Sequence, residues 1–196
     1  MAKFPAVFAV GDALATYLQN LYDLDTTLTA FACKFEQFSS PQMSSEDQAN
    51  ESVVSIFLHR ITLDPNFRAA GFLPNSPNEQ PVLFLDLHYL ITYWGTSVQA
   101  EQTLLAWTMQ QLQTTPILDP SILALSAADA GWDPTESIQL TPVDLSLEDI
   151  LRIWDGFGPK YRLTLAYLAR VVRIDRAIVP GPPVVATRFS LTNAAP

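Results

Sequence analysis

Apolar residues Val7, Val10, Leu14, Tyr17, Leu18 and Leu21 recur at three- and four-residue spacing, so the chain should open on an amphipathic helix that ends at Asp23 and Asp25. Alternation then predicts a strand over 27–35, with Phe31, Cys33 and Phe35 on one face. Residues 39–52 are polar and aperiodic and read as a long mobile loop. A second strand, rich in β-branched and aromatic residues, should cover 53–62. A Pro-rich loop over 64–81 comes after it. A third strand over 82–92 is apolar on both faces and therefore central in its sheet, and Gly95 ends it. Thr96 and Gln99 have capping-box spacing for a helix running to Gln113, its core stripe Leu105, Met109 and Leu112 with Leu104 beside them. Residues 117–132 are ambiguous between a helical turn and a loop.

A strand over 137–145 comes next. Ser146 and Asp149 then mark the start of a helix with Leu147, Ile150, Leu151 and Trp154 at i, i+3, i+4 and i+7, ended by Gly156 and Gly158. The last strand, over 161–174, sets Tyr161, Leu163, Leu165, Tyr167 and Ala169 on one face and Arg162, Thr164 and Arg170 on the other. Its alternation slips at Val171 and Val172, as at a bulge or where a strand leaves its sheet. Pro180, Pro182 and Pro183 punctuate the C-terminal segment, and 184–191 suits a short final strand or arm. The fold class is α+β: a mixed or antiparallel sheet of about five strands with an N-terminal helix and two more. Residues 1–178 should form one domain and 179–196 a Pro-rich C-terminal arm.

Composition narrows the function. With 48% apolar residues the chain can bury a core, and 13 is the longest near-apolar run, broken by Asp86 and His88 and too short to span a bilayer. Gly11 and Asp12 interrupt the N-terminal apolar run, and amphipathic periodicity continues past them, so it reads as a mature helix and not as an export signal. Cys33 is the single cysteine, which suits assembly in the cytoplasm. The net charge of −9 disfavours nucleic acid as a partner. Charge is unevenly spread: residues 1–151 hold 4 Lys or Arg against 18 Asp or Glu, and residues 152–196 hold 7 against 2. Such an end segment either docks on an acidic surface, copies of the same protein included, or is simply a solvated Arg-rich strand.

The search for chemistry finds little. Asp86 and His88 share a strand face and could orient an imidazole, or His88 could simply be hydrogen-bonded at the sheet rim. No nucleophile, phosphate-loop or metal-ligand motif accompanies them, so no catalytic residue, metal or cofactor is assigned. Cys33 reads as a buried inert thiol. Trp107, off its helix stripe, and Trp132, in a loop, are candidates for core packing or for interface anchors.

Three segments carry a resemblance. Leu83–Gly95 (LFLDLHYLITYWG) is similar to a strand of the tail-terminator (cap) proteins of phage-tail-like extracellular contractile injection systems. The AEQTLL run at 100–105 and Pro116-Ile117-Leu118 come after it as they do in that family. LSLEDILRIW at 145–154 and YRLTLAYLARVVRI at 161–174 then resemble its later elements, in order and spacing. The resemblance covers most of residues 5–175. It implies a structural, non-enzymatic protein: a ring, typically of six copies, on the last ring of the inner tube, which stops tube growth and anchors the distal end of the sheath. The implied partners are further copies, the tube protein and the sheath protein, with no membrane insertion, in a particle that is released or stays in the cell. Some members continue into a further domain. A monomeric assembly adaptor, or a small enzyme using Asp86 and His88, are the alternatives. For the ring, the basic residues Lys160, Arg162, Arg170, Arg173, Arg176 and Arg188 are the expected partner interface.

Overall fold

The computed structural model describes residues 2–45, 52–65, 82–158 and 160–174. Helix α1 (Ala6–Leu24) leads through a short 3-10 turn to strand β1 (Lys34–Phe38) and a single-turn helix α2 (Ser40–Met43). Strands β2 (Val53–Leu63) and β3 (Leu83–Trp94) precede α3 (Val98–Thr114), β4 (Ile117–Leu118) and the single turn α4 (Pro120–Leu123). Then come β5 (Ile138–Pro142), α5 (Leu147–Phe157) and β6 (Thr164–Ile174). The six strands form one sheet in the order β1-β2-β3-β6-β5-β4. Only β1 and β2 are parallel; every other neighbouring pair is antiparallel. The α+β expectation holds, with a sixth, two-residue strand.

The sheet is buried on both faces near β3, as its mostly apolar run requires. On one face α1, α3 and α4 pack against Val54, Ile56, Leu87, Tyr89, Ile91 and Tyr93, with Leu14 and Leu18 fully buried between them. On the other, α5 and α2 cover a smaller core of Phe38, Met43, Phe57, Leu90, Trp94 and Trp154. Gly11 lets α1 lie close to the sheet. A Cβ there would stand 2.5 Å from Gln37 Nε2 and 3.2 Å from a Tyr89 ring carbon.

Several expectations need correcting. The strand expected at 27–35 begins only at Lys34, because Asp25 accepts hydrogen bonds from the Thr27 N–H and hydroxyl and turns the chain into a 3-10 helix. Within the expected loop 39–52, Ser39 and Gln42 form a capping box and Met43 is fully buried; residues 46–51 lie outside the described residues. Helix α3 is capped by Ser97, not Thr96, and buries Leu104, Leu105, Trp107, Thr108 and Leu112 while Met109 is exposed. Thr108 is tolerated inside because its hydroxyl donates to Leu104 O at 2.8 Å. Helix α5 turns Ile150, Ile153, Trp154 and Phe157 to the sheet and leaves Leu147 and Leu151 exposed; it ends at Gly158 (φ 91°), one residue past Phe157, with Gly156 inside it. The slip in β6 is a bulge. Ala169 pairs with Leu87 and Val172 with Leu85, so Arg170 and Val171 together face Asp86. The 66–81 loop and the arm at 179–196 lie outside the described residues.

Candidate functional site

Asp86 and His88 do share a face of β3, but they engage different partners. His88 Nε2 lies 2.9 Å from Thr62 Oγ1 on β2, and its ring meets His59 edge-on at 6.0 Å. Asp86 is buried, with Oδ1 3.5 Å from Arg170 Nε. Arg170 Nη2 lies 3.5 Å from Oδ2 of Asp64, also buried. The β6 bulge puts the guanidinium between the two carboxylates, tying the end of β2 to β3 and β6. Burial pushes the Asp86 carboxyl up despite the neighbouring Arg170. Burial, His88 and Arg60 push His59 down to about 4, and burial with Arg60 also lowers His88. Both imidazoles are thus neutral at pH 7. Their arrangement pins a sheet, and among the described residues no three His, Cys, Asp or Glu side chains are placed to hold a metal.

Of the six basic residues of the expected interface four are described, and these fall in two separate places. Arg170 is engaged between Asp64 and Asp86. Arg173 is exposed on the same strand, three residues on. Arg176 and Arg188 lie outside the described residues. Lys160 and Arg162 sit apart from these, on the segment between α5 and β6. There the Arg162 guanidinium lies 4.8 Å above the Trp94 ring and Nη1 donates to Gly95 O at 3.4 Å. Trp94 is itself fixed, its Nε1 donating to Ser55 Oγ at 2.8 Å.

Lys160 and Arg162 line an open groove of about 740 Å³ with Tyr161, Leu163, Trp94, Gly95, Glu101 and Gln102. Its lining mixes the cations of the 160–163 segment with Glu101 of α3. Of the tryptophans proposed as anchors, Trp107 is buried and donates to Asp25 Oδ2 at 2.8 Å, and Trp132 packs half-buried against the main core. Sequence alone does not predict the groove. Its only trace there is Gly95 closing a central strand and Lys-Tyr-Arg opening β6, two signals 65 residues apart.

The model of the Pvc16 N-terminal domain family matches residues 9–187. The chain belongs to the Pvc16 N-terminal domain family. Among solved structures, this family member is similar to the sheath/tube terminator of an extracellular contractile injection system, PVC, in its extended state. The TM-score is 0.55 and the identity 20%, over 96% of this chain and 64% of that one. The tube-terminating cap of the anti-feeding prophage is similar with a TM-score of 0.48 and 17% identity, over 74% of this chain and 51% of that chain. No protein of curated function matches. The family member therefore spans less than two thirds of either neighbour's length, and the likeness is one of fold. The motifs at 83–105, 145–154 and 161–174 fall on β3 and the start of α3, on α5, and on β6, of which β3 and β6 are the two middle strands of the sheet.

Proposed function

We propose that this chain is the cap of a contractile injection particle. It forms a ring of copies, six by the family's pattern, on the last ring of the inner tube, stops tube growth and anchors the distal sheath end. The carrying observation is the family match over 9–187 together with a whole-chain fold likeness to a sheath/tube terminator. The absence of any motif for nucleophilic, phosphate or metal chemistry in the sequence agrees with a role in assembly. The basic residues Lys160, Arg162, Arg170, Arg173, Arg176 and Arg188 contribute the positive side of contacts with copies, tube or sheath. Arg170 does so indirectly, by holding β6 in place.

The test is tube polymerisation with the purified chain added, then negative-stain imaging. Tubes should be shorter and end in a ring of added protein. A folded chain that leaves the length distribution unchanged, and is absent from tube ends, overturns the reading.

A further inference from the structure

Strand β2 outruns its outer neighbour. β1 pairs with β2 only from Val53 to Phe57, so residues 58–63 form an edge beside which no strand lies among the described residues. The Asp64 N–H donates to Phe84 O at 3.0 Å. In this antiparallel ladder Thr62 and Asp64 therefore turn their backbone groups to β3, and Ile61 and Leu63 turn theirs outward. Ile61 and Leu63 are 49% and 38% exposed and stand opposite Leu87 and Leu85, on the α1 side of the sheet. Phe8 is exposed as well, one turn before Gly11 and so on the side of α1 that meets Gln37 of β1. Open backbone groups flanked by apolar side chains are a ready template for another strand.

We propose that residues 184–191 of the same chain cover this edge as a further strand, antiparallel to β2. β6 ends at Ile174, paired with Leu83, so the chain leaves the sheet at the end where the open edge lies. Residues 175–183 reach about 30 Å when extended, whereas passing from β6 across β3 and β2 takes three strand spacings, about 14 Å. A strand returning beside β2 in this way makes a Greek-key arrangement with β2, β3 and β6. The segment also has the right pattern. Val185, Thr187, Phe189 and Leu191 fall on one face, and Val184, Ala186, Arg188 and Ser190 on the other. The first face suits the side of Ile61, Leu63 and Phe8, and the second suits that of Arg60 and Thr62. A register with Arg188 directly opposite Arg60 is disfavoured, which narrows the pairing. The family match runs past β6 to residue 187 and so takes in part of this segment. A strand tethered to its own domain by a short linker closes at small entropic cost, which favours it over the same segment of another copy. The contact does not depend on the cap function.

The test is amide hydrogen exchange, read residue by residue by NMR on the full chain. In the parent the Ile61 and Leu63 amides should be protected. A Thr187→Pro/Arg188→Pro variant removes N–H donors at adjacent positions, so one of them falls on the ladder in either register. It should lose protection at Ile61 and Leu63 while Leu87 and Ile91 stay protected, which shows that the domain is folded. Isotope-labelled variant mixed with unlabelled parent should keep its edge unprotected. Rapid exchange at Ile61 and Leu63 in the parent, or protection that survives both prolines, overturns the proposal. Protection restored to the labelled variant by the parent also overturns it, and assigns the edge to the C-terminal segment of a second copy.

Discussion

Replacing Arg170 with Met keeps the unbranched stem of the side chain and removes the guanidinium that sits 3.5 Å from both Asp64 and Asp86. Removing one partner of a fully buried ion pair costs about 3–5 kcal/mol, mostly from stranding the other charge. Two observations lower that figure here. The Arg170 side chain is 36% exposed, and 3.5 Å is longer than a strong charge-assisted hydrogen bond. The expected cost is about 2–3 kcal/mol, or roughly 5–10 °C in Tm for a chain of this size. The sign of the pH dependence is fixed. Burial already raises the Asp86 pKa in the folded state, and losing Arg170 raises it further above the unfolded value. A carboxyl so raised destabilises the fold once pH exceeds its unfolded pKa, and does so fully above its folded pKa. The deficit of Arg170→Met should therefore be largest at pH 7 and smaller in mildly acid buffer, as protonation of Asp86 removes its need for a cation. Urea melts of parent and variant at both pH values measure it, and adding Asp86→Asn should recover part of the loss. If Arg170→Met melts with the parent at pH 7, or if its deficit grows on acidification, the ion-pair account is wrong.

Three other outcomes can be checked by similar means. Gly11→Ala should destabilise by about 1–3 kcal/mol although Ala is the better helix former, because its Cβ would meet Gln37 and Tyr89; a rise in Tm would show that α1 has room to move off the sheet. His59 and His88 titrate below the ordinary histidine range when folded, so unfolding takes up protons, and stability should fall as pH drops from about 6.5 toward 4. A His59→Gln variant should flatten that slope and still cap tubes, and an unchanged slope would remove His59 from the account. The Cys33 thiol, pushed up to about 12 by burial, should resist a thiol reagent at pH 8 until denaturant is added; fast labelling of the native protein would contradict its placement.

The elements legible in the sequence are those whose own side chains decide their structure. The helical spacing from Val7 to Leu21 and the apolar runs of β2 and β3 leave one reasonable burial pattern each. Expectation and structure part where a single polar side chain rewrites the backbone. Asp25 turns an apparent strand into a 3-10 turn, and Ser39 with Gln42 builds a helical turn inside a polar run. The faces of α3 and α5 are set by neighbours that periodicity does not reveal: Asp25 accepts from Trp107, and Trp94 draws in Trp154. The same holds for the surface chemistry. An excess of arginine at the chain's end is plain from the sequence. That the β6 bulge turns Arg170 onto two buried carboxylates, while Arg162 lies on an indole, depends on strands whose pairing no linear pattern specifies.

The smaller core is an aromatic lattice, and this makes the two faces of the sheet separable by spectroscopy. Trp94 and Trp154 lie 6.0 Å apart, with Phe38 5.8 Å from Trp94 and Phe157 5.9 Å from Trp154. Two indoles this close couple their transitions, so the near-ultraviolet dichroism of the pair reports whether α5 is seated. On α5 Trp154 alone is fully buried, with Ile150, Ile153 and Phe157 partly buried beside it. Loosening of α5 would erase that signal while amide protection at Leu87–Ile91, beneath α1, persisted. One face of the sheet can thus be watched opening while the other stays closed.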